Sequence, residues 1–218
     1  MAIGVVPVAA ALETAALNLA ITKLIPAFVG YSSESRLDDE SAVREYIRTL
    51  IGNARNSLST LRDSLREGER MDDWKTLEGP LVKIDEFDAG LRTSLTGDAE
   101  RKLKGTNKIS KKHLEGLMAQ DIRILEESKQ IEAACQALLE TGNSVDSDAL
   151  TKAAQAVSAK VNSVIALFKE RRAIISGLPL SVVTGETKDS TSTARVFIGV
   201  AMATALLLGY AWKNGMLG

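Results

Sequence analysis

His113 and Cys135 are the only imidazole and the only thiol in the 218-residue chain. Nucleophilic catalysis needs a nucleophile, a base within hydrogen-bond reach and a group that orients the base. Lys111-Lys112-His113-Leu114 puts the imidazole in the first turn of a helix expected from about Lys111 to Thr141. Cys135 falls on the apolar face of the same helix, about six turns further on. Two side chains so far apart on one rod cannot share a proton, so no dyad is expected. His113 reads as a surface residue and Cys135 as a small buried hydrophobe. One His and one Cys cannot assemble the usual zinc sets, and one Cys cannot form an internal disulfide.

The carboxylates are more numerous. Asp38-Asp39-Glu40, Asp72-Asp73, Asp85-Glu86 with Asp88, and Glu126-Glu127 read as caps or solvated faces. Metal sites in bundles favour inward carboxylates with a Glu-x-x-His spacing, and the chain has no such spacing. Asp121 is the one acid inside an apolar stripe, so it is the candidate for a buried polar contact. The segment Gly97-Asp-Ala-Glu-Arg-Lys-Leu-Lys-Gly105 lacks the glycine spacing and terminal Lys-Ser/Thr of a phosphate loop. No catalytic site, cofactor or metal is therefore expected. The densest basic cluster is Arg101, Lys102, Lys104, Lys108, Lys111 and Lys112. It reads first as a solvated loop and helix start, and second as a contact for an anionic membrane surface, at ~1 kcal/mol per charge close to it.

The elements that must carry these residues are helical. Only 4 prolines occur, aromatics are 4 % of the chain and the net charge is −1. This balance leaves no basic field or stacking platform for a nucleic-acid partner. Asp39 to Glu69 carries Val43, Ile47, Leu50, Ala54, Leu58, Leu61 and Leu65 at helical spacing, a seam of bundle type. Gly68 to Asp73 and Gly79-Pro80 break the pattern, and a shorter helix follows over about Leu81 to Leu95. After a polar stretch, Ser110 caps the helix from Lys111, with Leu114, Leu117, Ile124, Ile131 and Leu138 on one face and Gly142-Asn143 as its stop. The last helix, about Asp148 to Ser176, has a seam of Leu150, Ala153, Val157, Val161, Val164 and Phe168 that only Arg171 or Arg172 disturbs. The fold class expected is all-α, an antiparallel bundle of four to five long helices over residues 31–176.

Two segments differ from this body. Residues 1–30 are apolar almost all round, apart from Glu13, Lys23 and a stripe of Thr14, Asn18 and Thr22. Such a helix lies either within a bundle or in a membrane, and the interrupting charges favour the bundle. At the other end Val196 to Trp212 contains no charge. As a helix it reaches ~25 Å against a hydrocarbon core of ~30 Å. Tyr210 and Trp212 suit the headgroup level, and Arg195 and Lys213 bracket the run. The expectation is a single transmembrane anchor over 195–213, carried by Val196, Phe197, Ile198, Gly199, Ala203, Leu206, Leu207, Leu208, Tyr210 and Trp212. Residues 177–194 form a Ser/Thr-rich tether and 214–218 a short tail.

With more basic residues on the bundle side of the run, the bundle is expected to face the cytosol. No Asn-x-Ser/Thr site occurs, and no basic residue precedes Lys23, which makes a poor secretory signal. The function expected is that of a tail-anchored helical interaction module. Its partners would be the bilayer, a protein bound through a helical face, and a second copy through the Gly199/Ala203 face of the span. The alternative is a membrane-perturbing or pore-forming protein that uses the apolar N-terminal segment. In layout the chain resembles the helical cell-death domains of fungi, whose apolar N-terminal segment attacks membranes; the likeness is one of layout and not of motif.

Overall fold

A computed structural model describes residues 8–32, 34–93 and 110–175. All regular structure among them is helical: α1 (Val8–Leu24), α2 (Arg36–Glu67), α3 (Met71–Thr76), α4 (Glu78–Arg92), α5 (Lys111–Thr141) and α6 (Ser147–Ile175). The expected tether, anchor and tail lie outside the described residues.

The seam on α2 is buried as its spacing requires, from Val43 and Ile47 through Ala54 to Leu65. It meets Leu81, Ile84, Phe87 and Leu91 of α4, Ile124, Ile131 and Cys135 of α5, and Val157, Val161 and Val164 of α6 in one core. Phe87 and Phe168 pack edge to face with centroids 5.7 Å apart, an arrangement that stabilises by ~1 kcal/mol beyond burial. Leu77, between α3 and α4, is fully buried and closes one end of this core. The expected break at Gly79-Pro80 is instead the first turn of α4. Proline is tolerated there because the first turn has no carbonyl partner for its missing N–H.

α2 and α4 run antiparallel: Arg48 meets Asp88, Arg55 meets Asp85 and Arg62 meets Glu78. α5 and α6 do the same, with Gln120 bonding the Leu167 carbonyl and Lys160 bonding Gln130. Between α2 and α5 the numbers rise together. Asn53 bonds Glu132 at 2.6 Å, Ser57 bonds Gln136 at 3.3 Å and Ser64 bonds Asn143 at 3.0 Å. These two helices are therefore parallel, and the expectation of an antiparallel bundle holds only for helices adjoining in the chain. α2 packs on α4 and α5, and α6 packs on the same two, which places α4 and α5 across the ring from each other. A short loop forces its helices to be antiparallel neighbours; residues 93–110 are long enough to join helices that do not touch.

α1 packs along α5 on the outside of this ring. Ile21 and Ile25 are buried, while Ala15, Ala16, Leu19 and Lys23 are exposed. The polar stripe of α1 is used locally. Thr14 donates to Glu115, Thr22 donates to the Asn18 carbonyl, and Asn18 lies against Gly30. Part of the apolar circumference is thus left facing outward, with Leu19 57 % exposed. Among the described residues no helix is long and apolar enough to cross a membrane.

Candidate functional site

Arg171 is the largest fully buried side chain of the described residues. It lies one turn from the end of α6, where the apolar seam is interrupted. Its Nε donates to Asp121 on α5, Nη1 donates to Glu40 on α2 at 3.0 Å, and Nη2 donates to the Tyr31 hydroxyl at 3.0 Å. The Tyr31 hydroxyl in turn donates to the second Asp121 oxygen. Arg44 pairs with the other Glu40 oxygen at 3.3 Å. Two carboxylates and two guanidiniums balance in charge, and each buried oxygen has a donor, which is what a low-dielectric interior demands.

The ionisation of the cluster follows from its position. Burial works against the charge on Arg171, but Asp121, Tyr31 and Glu40 together hold the guanidinium protonated well above its ordinary value. Burial and then the Asp121 charge push the Tyr31 hydroxyl well up, so it stays a neutral phenol and a donor. Burial also raises the Asp121 carboxyl, against the opposing pull of Arg171 and the Tyr31 hydroxyl.

Local sequence explains how Tyr31 reaches this place. After α1 the chain turns through Gly30 at φ +107° and Tyr31 at φ +55°, both left-handed. Glycine takes the first without steric cost; tyrosine does not, and its conformation is held by its surroundings. Asp39, in the first turn of α2, accepts from the Val29 N–H at 2.6 Å and the Tyr31 N–H at 2.7 Å. Arg36 donates to the Tyr31 carbonyl at 3.2 Å, and Phe28 stacks edge to face on the Tyr31 ring. Three helices and the α1–α2 connection converge here on a closed polar knot. What the knot can do chemically is join these segments; Asp121 and Arg171 have no exposed surface.

Asp121 is the acid that the sequence singles out for a buried contact, and it makes one. Of the alternatives Arg171 and Arg172, it is Arg171 that enters the core. Glu40 and Tyr31 were not legible as members. Glu40 stands three residues before Val43 and seven before Ile47, so an acid at a seam position was the available signal. Tyr31 has no periodicity to reveal it.

The remaining candidates are separate. His113 Nδ1 bonds the cap hydroxyl of Ser110 at 2.7 Å, and Ser110 also accepts from the His113 backbone N–H. Cys135 is buried, and burial pushes its thiol up to about 12. At ~1.5 Å per residue the two are ~33 Å apart along α5. Arg101, Lys102, Lys104 and Lys108 lie outside the described residues; Lys111 opens α5 and Lys112 is exposed in its first turn. The anchor residues Val196, Phe197, Ile198, Gly199, Ala203, Leu206, Leu207, Leu208, Tyr210 and Trp212 also lie outside them. Among the described residues no group of three His, Cys, Asp or Glu is placed to hold a metal ion. No family model, no curated protein and no solved structure matches this chain.

Proposed function

We propose that this protein is a helical interaction module tethered to a membrane by one C-terminal span, with its bundle on the cytosolic side and no catalytic site. The observation that carries this reading is the uncharged run Val196 to Trp212, with aromatic residues at one end and Arg195 and Lys213 beside it. Such a run is favourable in hydrocarbon and unfavourable in water. The bundle offers a partner protein its outer helical faces. Replacing Ala205 and Leu206 by Arg places two charges near the middle of the run, at ~2.5–3.5 kcal/mol each. The double variant should leave the membrane pellet on carbonate extraction while wild type stays. Retention of the variant in the pellet would move the anchor elsewhere.

A second reading is favoured by one observation. Among the described residues α1 is apolar, packs chiefly on α5 and turns Ala15, Ala16 and Leu19 outward. A helix of this kind can leave its site and enter a bilayer, which would make the protein membrane-perturbing. Protease protection of residues 7–30 in liposomes separates the two readings: full digestion supports the interaction module, protection the insertion.

A further inference from the structure

Among the described residues, α1 is fastened to the rest of the fold by packing along its length and by polar bonds at its root. Along α1, Ile21 and the part-buried Leu17 and Leu24 join the core and Thr14 bonds Glu115 of α5; Ile25 follows in the connection. At its root the connection is held by polar bonds of high directionality, from Asp39, Arg36, Asp121 and Arg171. Of these only Arg171 comes from α6, and it lies four residues before that helix ends at Ile175. The residues after Ile175 lead in sequence to the uncharged run.

We infer that Arg171 makes the last turn of α6 the latch of α1: while that turn is wound, α1 is held on α5, and when it frays, α1 is freed and the four-helix ring persists. The physical reason is the charge left behind. With the guanidinium withdrawn, Asp121 and Glu40 face each other inside the protein without their shared partner. Glu40 then keeps Arg44, but Asp121 keeps only the neutral Tyr31 hydroxyl. A buried carboxylate without its counterion is costly and recovers its hydration by the smallest opening that admits water. That opening is on the side of α1, which among the described residues packs extensively only on α5, while α2, α4, α5 and α6 each pack on at least two others. Tyr31 itself is also held by Asp39 and Arg36 of α2. The left-handed Tyr31 adds to the imbalance, since its conformation relaxes once the knot is undone. The state of the chain just beyond α6 is thereby coupled to the exposure of an apolar helix at the opposite end of the sequence. The coupling has a defined two-state element, latched and open, and one residue that biases it.

Native-state hydrogen exchange on the full 218-residue chain in detergent micelles tests this. Three variants are compared with wild type: Arg171→Met, which removes the guanidinium; Ala173→Pro, which clashes with the carbonyl of residue 169 and unwinds the last turn while every side chain of the knot keeps its identity; and Tyr31→Phe, which keeps the ring. In the first two, amides of Leu17 to Leu24 should lose at least about tenfold in protection, while those of Leu50 to Leu61 and Val157 to Val164 stay within about twofold. Tyr31→Phe should shift α1 in the same direction by less. Wild-type protection of α1 in Arg171→Met, or loss of protection in step across α1 and the ring, overturns the latch. If Arg171→Met does not fold, unchanged α1 protection in Ala173→Pro and Tyr31→Phe overturns it as well. The extraction experiment on the span reads a different property, so either proposal can fail without the other.

Discussion

Arg171 and Asp121 stand 50 residues apart in the chain and meet in the interior of the bundle, the guanidinium Nε donating to the carboxylate. Neither residue has exposed surface. A pair buried this deeply gives little net stability, because the attraction between the charges is offset by the water they lose. Its effect is on position. Glu40 and Tyr31 complete the ring of partners only when α2, α5, α6 and the end of α1 adopt one mutual register. A slip of one helix by a turn would leave a charge without a partner, at several kcal/mol.

The turn that delivers Tyr31 to this ring depends on Gly30. Its φ is +107°, and a Cβ there would lie 2.5 Å from the Asn18 amide nitrogen. Gly30→Ala should destabilise the attachment of α1 by ~2 kcal/mol or more, from the left-handed backbone and the contact together. Asn18→Ala should be near neutral, since the Asn18 Oδ1 is buried without a hydrogen-bond partner. The double variant should recover part of the loss, leaving the backbone share. A urea titration followed by exchange of α1 amides measures the cycle, and strict additivity of the two changes would show that the contact plays no part.

Much of this fold can be read from spacing. The seams on α2 and α6 and the cap at Ser110 follow from apolar period and capping chemistry alone; α5 also stops before Gly142, but in a right-handed conformation that glycine capping does not explain. The parallel course of α2 and α5 does not, because it depends on which helices the stretch 93–110 joins across the ring. The knot was half visible. Asp121 and Arg171 interrupt apolar faces and so announce a polar contact, but each could have met solvent or some other partner. Tyr31 sits in a connection, where no period operates, and its place is set by the left-handed turn and by Asp39 holding its backbone. The outward face of α1 was illegible for a related reason: a helix apolar on all sides gives no indication of which side is covered.

A second clamp gives a pH signature. Arg70 donates to the Gly142, Asn143 and Val145 carbonyls, at 3.1, 3.0 and 2.9 Å, and to Asp73 at 2.6 Å. It ties the start of α3 to the turn between α5 and α6. A hydrogen bond from Ser147 and the contact with Arg70 hold the Asp73 carboxyl below its ordinary value of 3.8. A carboxyl lowered on folding adds stability above its unfolded value, and this is lost as pH falls through the folded one. The difference in melting temperature between wild type and Asp73→Asn should be constant above about pH 5 and should shrink below 3.8. A difference that grows on acidification would mean that Asp73 is not held ionised by this clamp.

Gly142 lies against Leu61 of α2, just past the end of α5. Its backbone is right-handed, at φ −61°, so conformation does not require glycine. Space does: a Cβ would lie 2.6 Å from a Leu61 methyl and 2.6 Å from the Leu138 carbonyl oxygen. Leu61 is fully buried and cannot swing away freely. Gly142→Ala should cost ~1–3 kcal/mol by overpacking. Leu61→Val in the same chain should return part of it, since the shorter side chain withdraws the methyl. Chemical denaturation of the four variants reads the coupling; a Gly142→Ala variant as stable as wild type would mean that the two helices separate there at no cost.

The proposed span carries a prediction of its own about a second copy. Gly199 and Ala203 are four residues apart. On a helix such residues share a face, and a small-x-x-x-small pair lets two backbones approach closely enough for van der Waals packing to favour a dimer in lipid. The low side-chain volume matters more than polarity here, because lipid tails already satisfy apolar surface and give no hydrophobic drive. The stretch 177–194 is long and rich in Ser and Thr, so pairing of spans does not require the bundles to touch. Gly199→Ile fills the contact face and leaves the run apolar, so insertion should persist while pairing is lost. Energy transfer between labelled chains in bilayers should fall to the random-mixing level in Gly199→Ile and stand above it in wild type, with both proteins equally resistant to carbonate. Equal transfer in the two chains would remove this face as a dimer contact and leave the anchor in place.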